Sequence, residues 1–174
     1  MEKLKSVLAR KRVIAIFAPI YAVSQIAIAA VLYPIGFLDM LRLQATLSVD
    51  VFRDTIEAWR QAGLLDHYWR HFLLDFPHPA WYAILLAALL GRGLTKINLA
   101  GRWLNLLMVP FIAGALDIVE NLFHIAFLLD GRAVTPVAVF LSGTASIIKW
   151  TLAFLAVVSV MILLILEQRR KDFY

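Results

Sequence analysis

Asp117, Glu120, Asn121 and His124 are spaced i, i+3, i+4 and i+7. A helix through them puts two carboxylates, an amide and an imidazole on one face. All four stand inside an apolar stretch from Trp103 to Leu129, and a second stretch from Thr135 to Leu166 carries Lys149. An ionisable group in such a stretch costs about 2.5–3.5 kcal/mol to place in a bilayer. It therefore faces other helices or a polar cavity, and it marks a candidate site. Asp117 lies twelve residues before Leu129 and Lys149 fourteen after Thr135, across the short connection Asp130–Val134. Antiparallel neighbours joined that way bring Asp117 and Lys149 to one depth. The spacing predicts an Asp117–Lys149 ion pair, with Asn121 hydrogen-bonding within it. Glu120, one turn nearer the outer surface, is left without an obvious cation and becomes the candidate for proton chemistry. A carboxyl as acid or base, with Lys149 stabilising a developing anion, is the catalysis such a cluster offers. The plainer reading is interhelical glue that fixes register.

The histidines form a second group. His67 and His71 are i, i+4, His78 begins another apolar run, and Asp66 and Asp75 are close in sequence. A helical zinc-protease motif needs a Glu after the first His, and here Tyr68 follows His67. Interfacial packing of His, Tyr and Trp is the better reading, so no metal and no cofactor is expected. The chain has no Cys, which removes thiolate ligands, disulfides and a thiol nucleophile. It also lacks a phosphate-binding loop, a GxGxxG turn and a GxSxG elbow.

The elements that carry these residues follow from composition. The 174 residues are 62% hydrophobic and 17% charged, with a mean hydropathy of +0.80. A soluble domain is about 45–50% apolar and about 25% charged. A bilayer-spanning helix needs about 20 predominantly apolar residues. Four stretches qualify, at about 13–33, 76–91, 103–129 and 135–166. The fold class expected is all-α: an integral membrane four-helix bundle forming one domain over 1–174. Gly114, Ala115, Gly143 and Ala145 fit close packing between its helices, and Gly91-Arg92-Gly93 reads as a helix end in a loop.

Charge sets the orientation. Lys3, Lys5, Arg10, Lys11 and Arg12, then Arg92, Lys96 and Arg102, then Arg169, Arg170 and Lys171 fall on one side of the four spans. Arg42, Arg53, Arg60, Arg70 and Arg132 fall on the other, amid acids. The excess of positive charge marks the cytoplasmic side, so both termini are expected there. The formal charge of +5 then reflects topology and attraction to anionic lipid, and nucleic acid is excluded as a partner. The first span follows a basic segment like a signal peptide. Its apolar run is too long, and no small-residue cleavage site follows.

The long connection between spans one and two is the extracytoplasmic segment. Ser48 or Asp50 can cap a helix there, with Val49, Phe52, Ile56 and Trp59 at helical spacing and Gly63 just past its end. A second short helix covers Leu64–Leu74. These amphipathic helices, over about 47–74, are expected to lie in the interface or pack as a lid.

Three motifs occur together. Asp75-Phe-Pro-His-Pro79-Ala-Trp-Tyr82 is a D-x3-P-x2-Y pattern, Asp117-Ile-Val-Glu120-Asn121 is D-x2-E-N, and Ser146-Ile-Ile-Lys149-Trp150 is [ST]-x2-K-W. With Tyr68, seven residues before Asp75, the chain resembles a group of uncharacterised small bacterial four-span membrane proteins over about residues 45–155. The resemblance implies a multi-pass protein of the bacterial cytoplasmic (inner) membrane. It also joins Asp75, Tyr82, Asp117, Glu120, Asn121, Lys149 and Trp150 into one candidate site, and it implies no activity.

Three functions fit. In the first, Glu120, Asp117 and Lys149 are the chemical groups of a pocket that binds or processes a lipophilic small molecule. Asn121, His124, Tyr82, Trp150 and Asp75 then line it, and Phe123 adds an apolar wall. In the second, the acids carry protons for a transporter, which in so small a chain would need a homo-oligomer. In the third, the protein is a structural or accessory membrane subunit whose partners are lipids. Below Asp117 the third span is apolar except for Asn105, which disfavours a through-path.

Overall fold

A computed structural model describes residues 1–172. Residues 173 and 174, and the side chain of Lys171 counted above, lie outside the described residues. No strand occurs among the described residues. Eight α-helices run in order: α1 (Glu2–Leu8), α2 (Lys11–Leu32), α3 (Phe37–Gln44), α4 (Val49–Gln61), α5 (Leu65–Asp75), α6 (His78–Lys96), α7 (Val109–Leu129) and α8 (Pro136–Asp172). Three helical segments are long and apolar enough to cross a membrane: Lys11–Leu32, Gly101–Leu129 and Pro136–Arg170. A fourth arises if α5 and α6, bent by 47° at their joint, count as one span. This is consistent with a multi-pass membrane protein.

The local sequence explains where the elements start and stop. Ser48 caps α4, its hydroxyl accepting from the Val51 amide at 3.4 Å. At the other end Gly63 sits at φ +70°. There the Leu64 amide donates to the Trp59 carbonyl (2.8 Å) and the Gly63 amide to the Arg60 carbonyl (3.1 Å). That is a Schellman stop, and it needs the left-handed residue that glycine supplies without strain. Along α4, Phe52, Ile56 and Trp59 are buried, so the helical spacing does mark its inner face.

Three elements and one packing residue differ from the sequence reading. The third span is no continuous helix from Trp103: residues Gly101–Met108 form a 3-10 segment, and α7 begins at Val109. Pro110 sits in the first turn of α7, where its missing N–H costs nothing. The second span reaches Lys96, through Gly91-Arg92-Gly93, which do not end the helix. Those glycines serve packing instead. A Cβ on Gly93 would lie 2.8 Å from Leu163 Cβ of α8, and one on Gly91 3.5 Å from the Ala9 backbone nitrogen. An eight-residue helix, α3, occupies chain that was expected to be a plain connection. Ala115, expected at a packing face, is exposed.

Packing centres on α6, which touches α1, α2, α7 and α8, while α7 and α8 form the most extensive helix pair. At the end beside the α7–α8 turn, Tyr68, Phe72, Phe52 and Trp59 pack with Phe127 and Val139. Toward the opposite end Leu90, Leu94, Leu104 and Leu107 pack with Ala156, Val160 and Leu163. The α3–α4 segment is tied down at two points. Arg53 donates to the Val134 carbonyl at 2.7 Å. A Cβ on Gly143 would collide with the Thr46 carbonyl, so the α3–α4 connection rests directly on α8.

Gly143→Val is therefore expected to lower stability by about 1–3 kcal/mol, the usual cost of overpacking. Gly131→Ala, where an added Cβ meets nothing within 4 Å, should be close to neutral. Thermal unfolding in detergent, followed by circular dichroism, checks both.

Candidate functional site

The site is built where α5, α6, α7 and α8 converge. On α7, Asp117, Glu120, Asn121 and His124 are all buried on one face, as their spacing requires. Lys149 reaches them from α8 across the short turn. Its Nζ lies 2.6 Å from Asp117 Oδ1 and 2.9 Å from Glu120 Oε2. The three residues are 5%, 6% and 0% exposed respectively, so this is a buried ion triad. The Asp117–Lys149 pair is thus present. The expectation that Glu120 lacks a cation is corrected, because one ammonium on an antiparallel helix reaches both i and i+3 of its neighbour. Neither Glu120 oxygen takes a regular hydrogen bond, and the Lys149 contact is ionic.

Two further helices join the triad. Tyr82 of α6 donates its hydroxyl hydrogen to Asp117 Oδ2 at 3.2 Å. Asn121 donates to Asp75 Oδ2 at 2.8 Å. Asn121 therefore binds Asp75, not the Asp117–Lys149 pair. Asp75 is the last residue of α5, and Pro77 occupies the cap of α6. His124 belongs to a different neighbourhood. Its Nδ1 shares a hydrogen bond with the Tyr68 hydroxyl, and its ring packs edge-on against Phe52.

A cavity of about 900 Å³ opens beside this cluster. Helices α2 and α8 flank it, both resting on α6. The walls are Ile28, Ala29 and Leu32 of α2, Leu85, Leu86 and Leu89 of α6, and Ala153, Phe154 and Val157 of α8. Met40 and Leu41 of α3 cover it at one end. Its polar end comprises His71, Asp75, His78, Tyr82, Asp117 and Lys149, with Gln25 and Gln44 along the rim. Trp150 also lines it, and its indole N–H donates to Gln44 Oε1 at 3.4 Å.

The candidate residues thus divide. Asp75, Tyr82, Asp117, Lys149 and Trp150 meet the cavity, whereas Glu120, Asn121 and His124 do not line it. Glu120 stands behind Lys149 and acts on the cavity only through that ammonium. Phe123, expected as a wall, packs in the apolar cluster beside the α7–α8 turn. The residues over 47–74 do not form the cover alone; α3 does much of it, and of that segment only His71 reaches the cavity, with Asp75 just beyond it.

His71, His78, Tyr21, Gln25 and Gln44 line the cavity and were not among the candidates. Two signals pointed to them. His71 and Asp75 are i, i+4 on α5, and Ser24-Gln25 interrupts the otherwise apolar first span. His67, the other half of the H-x3-H pair, is half-buried one turn earlier on α5 and is absent from the lining. Among the described residues no group of three His, Cys, Asp or Glu is placed to hold a metal ion.

No family model, no curated protein and no solved structure matches the chain. The functional reading therefore rests on the site.

Removing one member of a buried ion pair costs about 3–5 kcal/mol, because the partner's charge is left uncompensated. Lys149→Met is expected to be that severe. Lys149→Met combined with Asp117→Asn and Glu120→Gln should recover most of the loss, since no charge then remains unpaired within the triad. Unfolding midpoints of the two variants in detergent measure the difference.

Proposed function

We propose that this chain is a four-span protein of the bacterial cytoplasmic membrane that binds a lipophilic small molecule in the cleft between α2 and α8. The observation that carries the reading is the cavity itself. Ligand pockets are typically about 300–1,000 Å³, mostly apolar, with a few convergent polar groups. Here a volume of about 900 Å³ has aliphatic walls and ends on Asp117 and Lys149. A ligand with a hydrocarbon body and a polar head matches that division. The body would lie along Leu85, Leu86, Leu89 and Val157, and the head would meet the charged end.

In this reading α5 and α6 together make the second span, both termini are cytoplasmic, and α3, α4 and the start of α5 sit on the extracytoplasmic side. The basic residues at the N-terminus, at Arg92, Lys96 and Arg102, and at Arg169 and Arg170 support that orientation. The cleft is then blind. Its lining ends at Tyr21, Leu89 and Val157, and the inner apolar cluster around Leu94, Leu107 and Leu163 closes the space below. Binding from the outer half of the bilayer fits this shape better than passage through the protein. The protein is grouped with the small four-span membrane proteins that share its three motifs.

Native mass spectrometry on protein purified in mild detergent tests the binding. Wild type should carry a discrete lipophilic adduct. Ala153→Trp, which fills the cleft from a half-buried wall position, should lose it while keeping its unfolding midpoint. Equal adducts in both proteins, or none in wild type, would remove the reading.

The orientation is checked separately, helped by the absence of native Cys. Glu57→Cys should react with a membrane-impermeant maleimide in intact cells, and Lys3→Cys only after lysis. The reverse pattern would invert the topology.

A further inference from the structure

The hydrogen-bonding groups at the polar end of the cleft are unevenly matched. The Lys149 and Tyr82 donors face acids of the cluster. Lys149 is held by Asp117 and Glu120, and the Tyr82 hydroxyl donates to Asp117. The acceptors are left over. His71 Nδ1 contacts the Tyr68 carbonyl. A carbonyl only accepts, so in the neutral ring Nδ1 carries the hydrogen and Nε2 is a bare acceptor. That Nε2 is buried without a partner, in a residue 1% exposed. His78 Nδ1 lies 2.8 Å from Ser24 Oγ. With the Ser24 hydrogen on the Tyr21 carbonyl at 3.0 Å, Ser24 can accept from His78, and the Nε2 of that ring is then an acceptor. Asp75 takes one hydrogen bond, from Asn121, and no cation among the described residues pairs with it.

Charge points the same way. Three carboxylates, Asp75, Asp117 and Glu120, meet a single ammonium, Lys149. Two of those carboxylates line the cleft. A buried charge is tolerated when it is paired and hydrogen-bonded, and here the missing partner is a cation with N–H groups. The rings of Tyr21 and Tyr82 flank His78, with centroids 5.4 Å and 5.6 Å from it. They add aromatic surface of the kind that suits an ammonium.

We propose that the cleft selects a lipophilic amine, bound as its ammonium, with the N–H groups directed to Asp75 and to the Nε2 atoms of His71 and His78. The inference rests on the lipophile-binding reading above and specifies the head group.

The full chain in nanodiscs of zwitterionic lipid is offered dodecylamine, dodecanol, dodecanoate and dodecyltrimethylammonium, each tritiated in turn, and saturable binding is read by scintillation proximity. The chain length is constant, so the series isolates the head group. Dodecylamine should bind about tenfold or more tighter than dodecanol, as expected for hydrogen bonds to a charged group. It should also exceed the trimethylammonium, which has charge but no N–H. Asp75→Asn, which keeps an oxygen for Asn121, should remove about that tenfold preference for the amine over dodecanol. Dodecanol or dodecanoate binding as tightly as the amine to wild type would overturn the amine assignment and leave the lipophile cleft standing. Saturable binding of none of the four would overturn both. The wild-type ranking alone decides the proposal if Asp75→Asn does not fold.

Discussion

The Lys149 ammonium is the contact on which the other polar contacts depend. Among the described residues it is the only cation paired with a cluster of three acids, and it is buried with them. Two carboxylates at i and i+3 on one helix repel each other unless a positive charge lies between them. Lys149 supplies that charge from α8 and so fixes the rotation and depth of α8 against α7. Asp117, once held, orients the Tyr82 hydroxyl of α6. Asn121, one position beyond Glu120, then meets Asp75 of α5. One buried cluster therefore sets the register of four helices, in a setting where apolar contact between spans provides little specificity.

That cluster serves more than register. A cluster that only joined helices would be expected to close on itself, with acceptors and donors balanced. Instead, apolar packing seals it on two sides, by Tyr68, Phe72 and Phe127 toward the α7–α8 turn and Leu90, Leu94 and Leu107 toward the opposite end. On the third side it meets a cavity of about 900 Å³ lined by His71, whose Nε2 has no hydrogen-bond partner, and by Asp75, with which no cation pairs among the described residues. Helices α2 and α8 stay apart there because both lean on α6, and close contacts such as Gly93 against Leu163 hold α8 in place at that opposite end. The ion triad fixes the wall, and the gap between α2 and α8 makes the binding space.

Much of this was readable from spacing. The i, i+3, i+4, i+7 pattern placed four polar residues on one face of α7, and the short Asp130–Val134 turn placed Lys149 at their depth. Ser48 and Gly63 marked the ends of α4 through cap chemistry that is local in sequence. What could not be read were partners that depend on tertiary geometry. Nothing in the sequence says that Lys149 reaches Glu120 as well as Asp117, or that Asn121 chooses Asp75. The cavity escaped for the same reason. Its lining comes from α2, α3, α5, α6 and α8, and His71 and His78 show their role only when α5 is folded over α6. Glycines were misread where packing and turn-breaking look alike: Gly91 and Gly93 continue a helix because α1 and α8 press against them. The family resemblance grouped Asp75, Tyr82, Asp117, Lys149 and Trp150, all of which meet the cavity, with Glu120 and Asn121, which support it from behind.

The central claim is that the cleft between α2 and α8 holds a lipophile. Photolabelling tests it most directly, with an alkyl-diazirine lipophile on the purified chain, adducts mapped by peptide sequencing, and unlabelled competitor used to define specific sites. The account predicts that the competed adducts fall on His78–Leu89 and Lys149–Val157. Competed labelling no greater there than on the exposed apolar face at Ile162, Leu164 and Ile165 would contradict it, and the buried charges would then be a device for holding helices alone.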